Sequence, residues 1–151
     1  MNKLLVLLAL LSTTATASDW TLQGNIATTG DLNQYSAVAT LFVTEDDKTA
    51  VGFSLYDPAC EDYEPELKAA SIHIINEQPV KFQYQCIAKA EKLFMAEYNT
   101  GRRFIINEFL NNKTVAIKSL GSNYTFSYST TGFADAYKAI RAIAQISKKA
   151  I

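Results

Sequence analysis

Histidine and cysteine are scarce in this chain: one His and two Cys among 151 residues. So few ligands leave little room for a zinc centre, and no metal or cofactor is expected. Positive charge is not in excess either, with 14 Lys and Arg against 15 Asp and Glu. A dedicated nucleic-acid binder gathers a basic surplus on one face, so that class is excluded. Beyond residue 11 there is no long hydrophobic run, whereas a bilayer span needs roughly 20 apolar residues. Internal repeats, low-complexity tracts and interdomain linkers are also missing. What the chain does have is apolar material, 48% hydrophobic and 11% aromatic. That excludes global disorder and suffices for a core.

Residues 1–17 read as a secretory leader. Asn2 and Lys3 form a short positive start, residues 4–11 (LLVLLALL) an apolar run, and Ala15-Thr16-Ala17 the small residues a signal peptidase reads. Ser18 is the expected mature N-terminus, with no cysteine near it to carry a lipid. Removing 17 residues from 151 leaves 134, enough for one β-rich domain over 18–151. Lys3 is the leader's one charge, so its loss takes the net charge from −1 to −2. The expected location is the periplasm or outside the cell.

Export to an oxidising compartment decides how Cys60 and Cys86 read. A structural disulfide is expected, closing a loop of about 25 residues worth about 3 kcal/mol by chain entropy. The alternative, a nucleophilic thiol, needs a base, and His73 is the one imidazole on offer.

From residue 20 to 129 the hydrophobic pattern has mostly period two. Val80, Phe82, Tyr84 and Cys86 alternate with Lys81, Gln83 and Gln85; Tyr124, Phe126 and Tyr128 alternate with Thr125, Ser127 and Ser129. Val51, Phe53 and Leu55 form another such set, and residues 36–43 are a β-branched, apolar run. Further strands are expected over 20–26, 70–76, 92–98, 102–109 and 113–118. Turn chemistry separates them at Glu45-Asp46-Asp47-Lys48, Asn76-Glu77-Gln78-Pro79, Asn99-Thr100-Gly101, Asn111-Asn112 and Gly121-Ser122-Asn123. About nine short strands predict a mainly β fold, an antiparallel β-sandwich or barrel. The period then changes. Phe133, Ala136, Tyr137, Ile140, Ile143 and Ala144 share one helical face, predicting a C-terminal α-helix packed on the sheet. Thr131 or Gly132 serves as its N-cap, with Asp135 in the first turn.

Five acids and no base crowd residues 57–66: Asp57, Glu61, Asp62, Glu64 and Glu66. They read as a docking surface for a basic partner, or as a solvated loop; the alternating acids and central glycine of a calcium loop are missing. His73 lies on the strand face opposite Ile72 and Ile74, which reads as a polar surface or hydrogen-bonded residue rather than a catalyst. Glu97 and Glu108, on separate expected strands, could meet as the carboxylate pair of a small hydrolase, but any β protein with acids on its strands allows the same pairing. Arg102 and Arg103 are adjacent on an expected strand, so only one can join a given patch. Eight tyrosines suit a protein-binding face as well as a β core. No catalytic constellation emerges, and the expectation is that the protein is not an enzyme.

Thr131-Gly132-Phe133 followed by Ala136, Trp20 early in the mature chain, and the run Ile75-Asn76-Glu77-Gln78-Pro79-Val80 leading to Cys86 form a wider pattern. It is similar to the invasion-associated locus B family of bacterial envelope proteins. The resemblance implies a β-sandwich in the periplasm or at the cell surface, with a role in envelope or host interaction. The first reading is therefore an exported binding module whose partner is another protein. The alternative is a periplasmic inhibitor or immunity protein that neutralises a cell-wall hydrolase through the acidic loop.

Overall fold

Nine antiparallel strands hydrogen-bond into one continuous sheet that curls into a half-barrel, with two helices against its concave side. The computed structural model describes residues 19–151; the expected leader and Ser18 lie outside the described residues. In chain order the strands are β1 (Thr21–Gln23), β2 (Ile26–Gly30), β3 (Val38–Val43), β4 (Thr49–Tyr56), β5 (Lys68–Ile75), β6 (Gln78–Ala88) and β7 (Glu91–Ala96). Helix α1 (Asn99–Asn111), strands β8 (Thr114–Ser119) and β9 (Thr125–Ser129), and helix α2 (Phe133–Ser147) follow. The sheet order is β1-β2-β3-β4-β7-β6-β5-β8-β9. Of the two architectures expected, a single curled sheet makes this the barrel-like one.

Period two carries through to the core. Register pairs Leu41 with Val51, Ala39 with Phe53, Phe82 with Ala96 and Ile117 with Phe126. All lie on the concave face, and most are fully buried. The hairpin between β5 and β6 turns on Asn76 and Glu77 alone, both with positive φ (42° and 74°). This is the mirror-image turn whose twist suits two-residue hairpins.

One expected strand is a helix. Residues 102–109 belong to α1, where Ile105, Ile106 and Phe109 are buried at three- and four-residue spacing. Gly101, expected in a turn, sits in the helix's first turn. A Cβ there would come within 2.9 Å of Val80 and 3.1 Å of Ala96. The glycine lets the helix lie directly on β6 and β7. The strand count survives because residues 20–30 make two strands, reversed at Gly24 (φ 59°).

Helix α2 forms as expected. Gly132 is its N-cap, in the left-handed conformation at φ 85°, and Phe133, Ala136 and Ile140 are its buried stripe. Trp20 packs edge-on against Phe109 of α1 and Phe133 of α2, with ring centroids 5.4 and 5.0 Å away. Its indole N–H donates to the Ser129 carbonyl at 2.9 Å. This aromatic knot closes one end of the half-barrel.

The seam of the half-barrel is closed by a loop rather than by a strand. Leu32 N–H donates to the Ser127 carbonyl at 2.7 Å, and Ser127 N–H donates to the Asp31 carboxylate at 2.7 Å. The Asn33 amide donates to the Thr125 carbonyl at 3.0 Å. The β9 edge is thereby covered, as exposed sheet edges generally must be.

Candidate functional site at the open end of the half-barrel

The helices fill one end of the concave face; the other end is open. Around it stand the loops β2–β3, β4–β5, β6–β7 and β8–β9. Strand alternation brings Phe53 and Leu55 of β4, Phe94 of β7, Ile117 of β8 and Phe126 of β9 inward. With the side chains between them they line a cavity of about 160 Å³. The period-two signal identifies these residues as core. It carries no information on whether the facing sets meet or leave a gap.

His73 lines this cavity. It is 6% exposed, with its ring tilted against Phe82 at 4.5 Å and near Phe94 at 5.4 Å. It does lie opposite Ile72 and Ile74, but its face is the inner one, and Ile72 is the exposed neighbour. The surface reading of His73 is therefore corrected; the hydrogen-bonded reading stands. A carbonyl can only accept, so Nδ1–H donates to the Ser71 carbonyl at 2.9 Å, leaving Nε2 as a bare acceptor on the neutral ring. Burial holds the imidazole pKa below its ordinary value. Tyr128 also lines the cavity. It is fully buried, and its hydroxyl has no hydrogen-bond partner among the described residues. Burial first, and the nearby Asp31 charge second, push its pKa upward.

At the same end, Cys60 and Cys86 meet at disulfide distance, their Cα atoms 5.5 Å apart. The bond fixes the β4–β5 loop to the β6–β7 hairpin, and backbone bonds reinforce it. Asp57 N–H donates to Ala90 O at 3.0 Å, Ala90 N–H to Cys60 O at 2.7 Å, and Glu64 N–H to Cys86 O at 2.9 Å. The five acids divide. Asp57 pairs with Lys92, which holds its carboxyl below the usual range, and it also caps the Ala59 N–H. Glu64 pairs with Lys68, raising the lysine pKa. Glu61, Asp62 and Glu66 are exposed and form no ion pair among the described residues. Two acids thus hold the loop through ion pairs, Asp62 accepts from the Tyr63 N–H at 2.7 Å, and Glu61, Asp62 and Glu66 keep charge exposed to solvent or a partner.

Tyrosines gather here too. Tyr35 and Tyr124, from the β2–β3 and β8–β9 loops, touch edge-on at 5.8 Å while 52% and 62% exposed. Tyr56 and Tyr63 are exposed in and beside the acidic loop.

The remaining sequence candidates lie elsewhere. Because residues 102–103 are helical, Arg102 and Arg103 both line one groove, which Arg141 joins from α2. The one-per-patch expectation fails with the strand that implied it. Asp46 and Asp47 sit 3.9 and 4.0 Å from Arg102 and Arg141, but Lys48 lines the groove as well and Asp47 is shared with Lys148, so its positive charge is offset only in part. Glu108 accepts from the Asn76 and Asn112 side-chain amides at 2.7 and 2.9 Å, tying α1 to the β5–β6 turn. Glu97 lies beyond the far end of α1 and interacts with the Tyr98 hydroxyl, so the two carboxylates do not pair. Among the described residues no three His, Cys, Asp or Glu side chains cluster as metal ligands. No helix there is long and apolar enough to cross a membrane. Comparison with protein-family models, curated proteins and solved structures finds no match.

Proposed function

We propose that the chain is an exported, non-enzymatic binding module of the bacterial periplasm or cell surface. Its role is in envelope or host interaction, and it engages a protein partner through the open end of the half-barrel. The observation that carries this reading is the convergence of Tyr35 and Tyr124 into one exposed aromatic pair at the same end of the half-barrel as a covalently fixed loop. Tyrosine is enriched at protein interfaces because it offers large contact area with few rotatable bonds. The disulfide lowers the cost of association, since each side chain ordered on binding costs about 0.5–1.5 kcal/mol. The leader-like N-terminus and the resemblance to an envelope family support export. Affinity capture from an envelope extract tests the reading. A Tyr35→Ser, Tyr124→Ser protein should lose the partner retained by wild type and by Tyr98→Ser, which alters an exposed tyrosine at the opposite end. Equal capture by all three would refute the assigned face.

A second reading rests on the three unpaired acids, Glu61, Asp62 and Glu66. A rigid acidic loop suits the basic cleft of a cell-wall hydrolase, making the protein an inhibitor or immunity factor. Inhibition of a basic muramidase should then fall with salt and disappear in Glu61→Gln, Asp62→Asn, Glu66→Gln. Undiminished inhibition by that triple variant would discard the loop's role.

A further inference from the structure

The cavity at the open end carries an inference independent of any protein partner. We propose that it is a binding site for a small, neutral, monohydroxylated aromatic molecule, a simple phenol.

Size sets the first limit. A dry cavity of about 150 Å³ admits one benzene ring, and this one measures about 160 Å³. Phe53, Leu55, Phe94, Ile117 and Phe126 give it apolar walls suited to an aromatic ring. Polarity sets the second. The Tyr128 hydroxyl is fully buried and has no partner, a condition that native interiors rarely tolerate without purpose. Across the same cavity His73 commits Nδ1–H to the Ser71 carbonyl, which leaves Nε2 to accept. A ligand hydroxyl can donate to Nε2 and accept from the Tyr128 O–H, satisfying both. Ser119 and Ser122 supply the only other side-chain hydroxyls besides Ser71 and Tyr124 at the rim. Charge sets the third. No Lys, Arg, Asp or Glu lines the cavity, so nothing there neutralises a carboxylate. The Asp31 charge is felt at Tyr128, which further disfavours an anion. Access is through the β8–β9 turn, where Tyr124 both lines the cavity and faces solvent.

Calorimetric titration with phenol, toluene and benzoate tests the site. Phenol should bind one-to-one and about thirtyfold more tightly than toluene, the worth of two neutral hydrogen bonds; benzoate should not bind. Tyr128→Phe removes only the orphan hydroxyl, so it should fold with an undiminished Tm and weaken phenol about fivefold, the bond to His73 still setting phenol above toluene. Leu55→Trp, which fills the cavity from its half-exposed wall, should abolish binding of both. The proposal is overturned if phenol shows no saturable binding, if toluene matches it, or if benzoate binds as well. It is equally overturned if Tyr128→Phe binds phenol like wild type, or if that variant melts well below wild type, which would mean the hydroxyl is already engaged.

Discussion

A histidine packed against phenylalanines is a chemical compromise. His73 keeps one nitrogen on a carbonyl and surrounds its ring with Phe82 and Phe94, where the charged form is poorly solvated. Its folded pKa is therefore below the ordinary 6.5. The unfolded chain then binds more protons than the native one as pH drops through 6.5, so stability falls in that window and is fully present above it. Denaturant melts at pH 7.5 and 5.5 should show a loss in wild type that is smaller in His73→Phe. Equal losses would place the acid sensitivity elsewhere. Gly101 makes the opposite compromise, giving up helix propensity to let α1 touch the sheet. Gly101→Ala gains up to about 1 kcal/mol of propensity, but forcing a methyl against Val80 and Ala96 costs about 1–3 kcal/mol. Overpacking wins, and the variant's Tm should be lower than wild type; a rise would show that the helix can move aside.

Among the elements, α2 and the acidic loop are anchored by different forces. Helix α2 is held by its apolar stripe, and Ile140 is 1% exposed within it. Ile140→Ala should cost about 2–5 kcal/mol. Lys148→Ala, which removes a half-exposed, solvent-screened ion pair to Asp47, should shift the melt far less. Equal melting shifts would mean the stripe does not dock the helix. The loop over residues 57–66 is held by covalent and polar contacts instead. Reduction of Cys60–Cys86 should raise amide exchange there more than in β3 or β8; a uniform rise would show that the disulfide stabilises the molecule without clamping the loop. Helix α2 was legible because its three-and-four spacing runs unbroken from Phe133 to Ile140. Helix α1 was not, because Phe104, Ile105, Ile106 and Phe109 fit both periods, and Gly101, Asn111 and Asn112 look like turn residues. The missing signal is tertiary: Gly101 is chosen by contact with β6 and β7, which no local window contains.

For the molecule as a whole, the same divide separates what sequence carries from what it does not. Alternation in Val80–Cys86 and Tyr124–Tyr128 identifies inward faces, and the two cysteines identify their own pairing. The closure of the seam by Asp31, Leu32 and Asn33 depends on β2 and β9 meeting around the curl. The cavity depends on how far facing aromatics fall short of one another. Neither distance is written in any single strand.

Trp20 is the chain's only tryptophan, and its burial has a consequence in time. Its hydrogen-bond acceptor, Ser129, is made 109 residues later, and Phe133 later still. During synthesis the indole cannot complete these contacts until residues 129–133 have left the ribosome. Contacts of such long sequence separation form slowly, because the entropy of closing the intervening loop is lost before they reward it. The side chain that enters the fold's record first is among the last to settle, and its fluorescence is a private clock for that final step. The knot that joins both helices to the barrel therefore waits on residues 129–133, however early the indole itself is made.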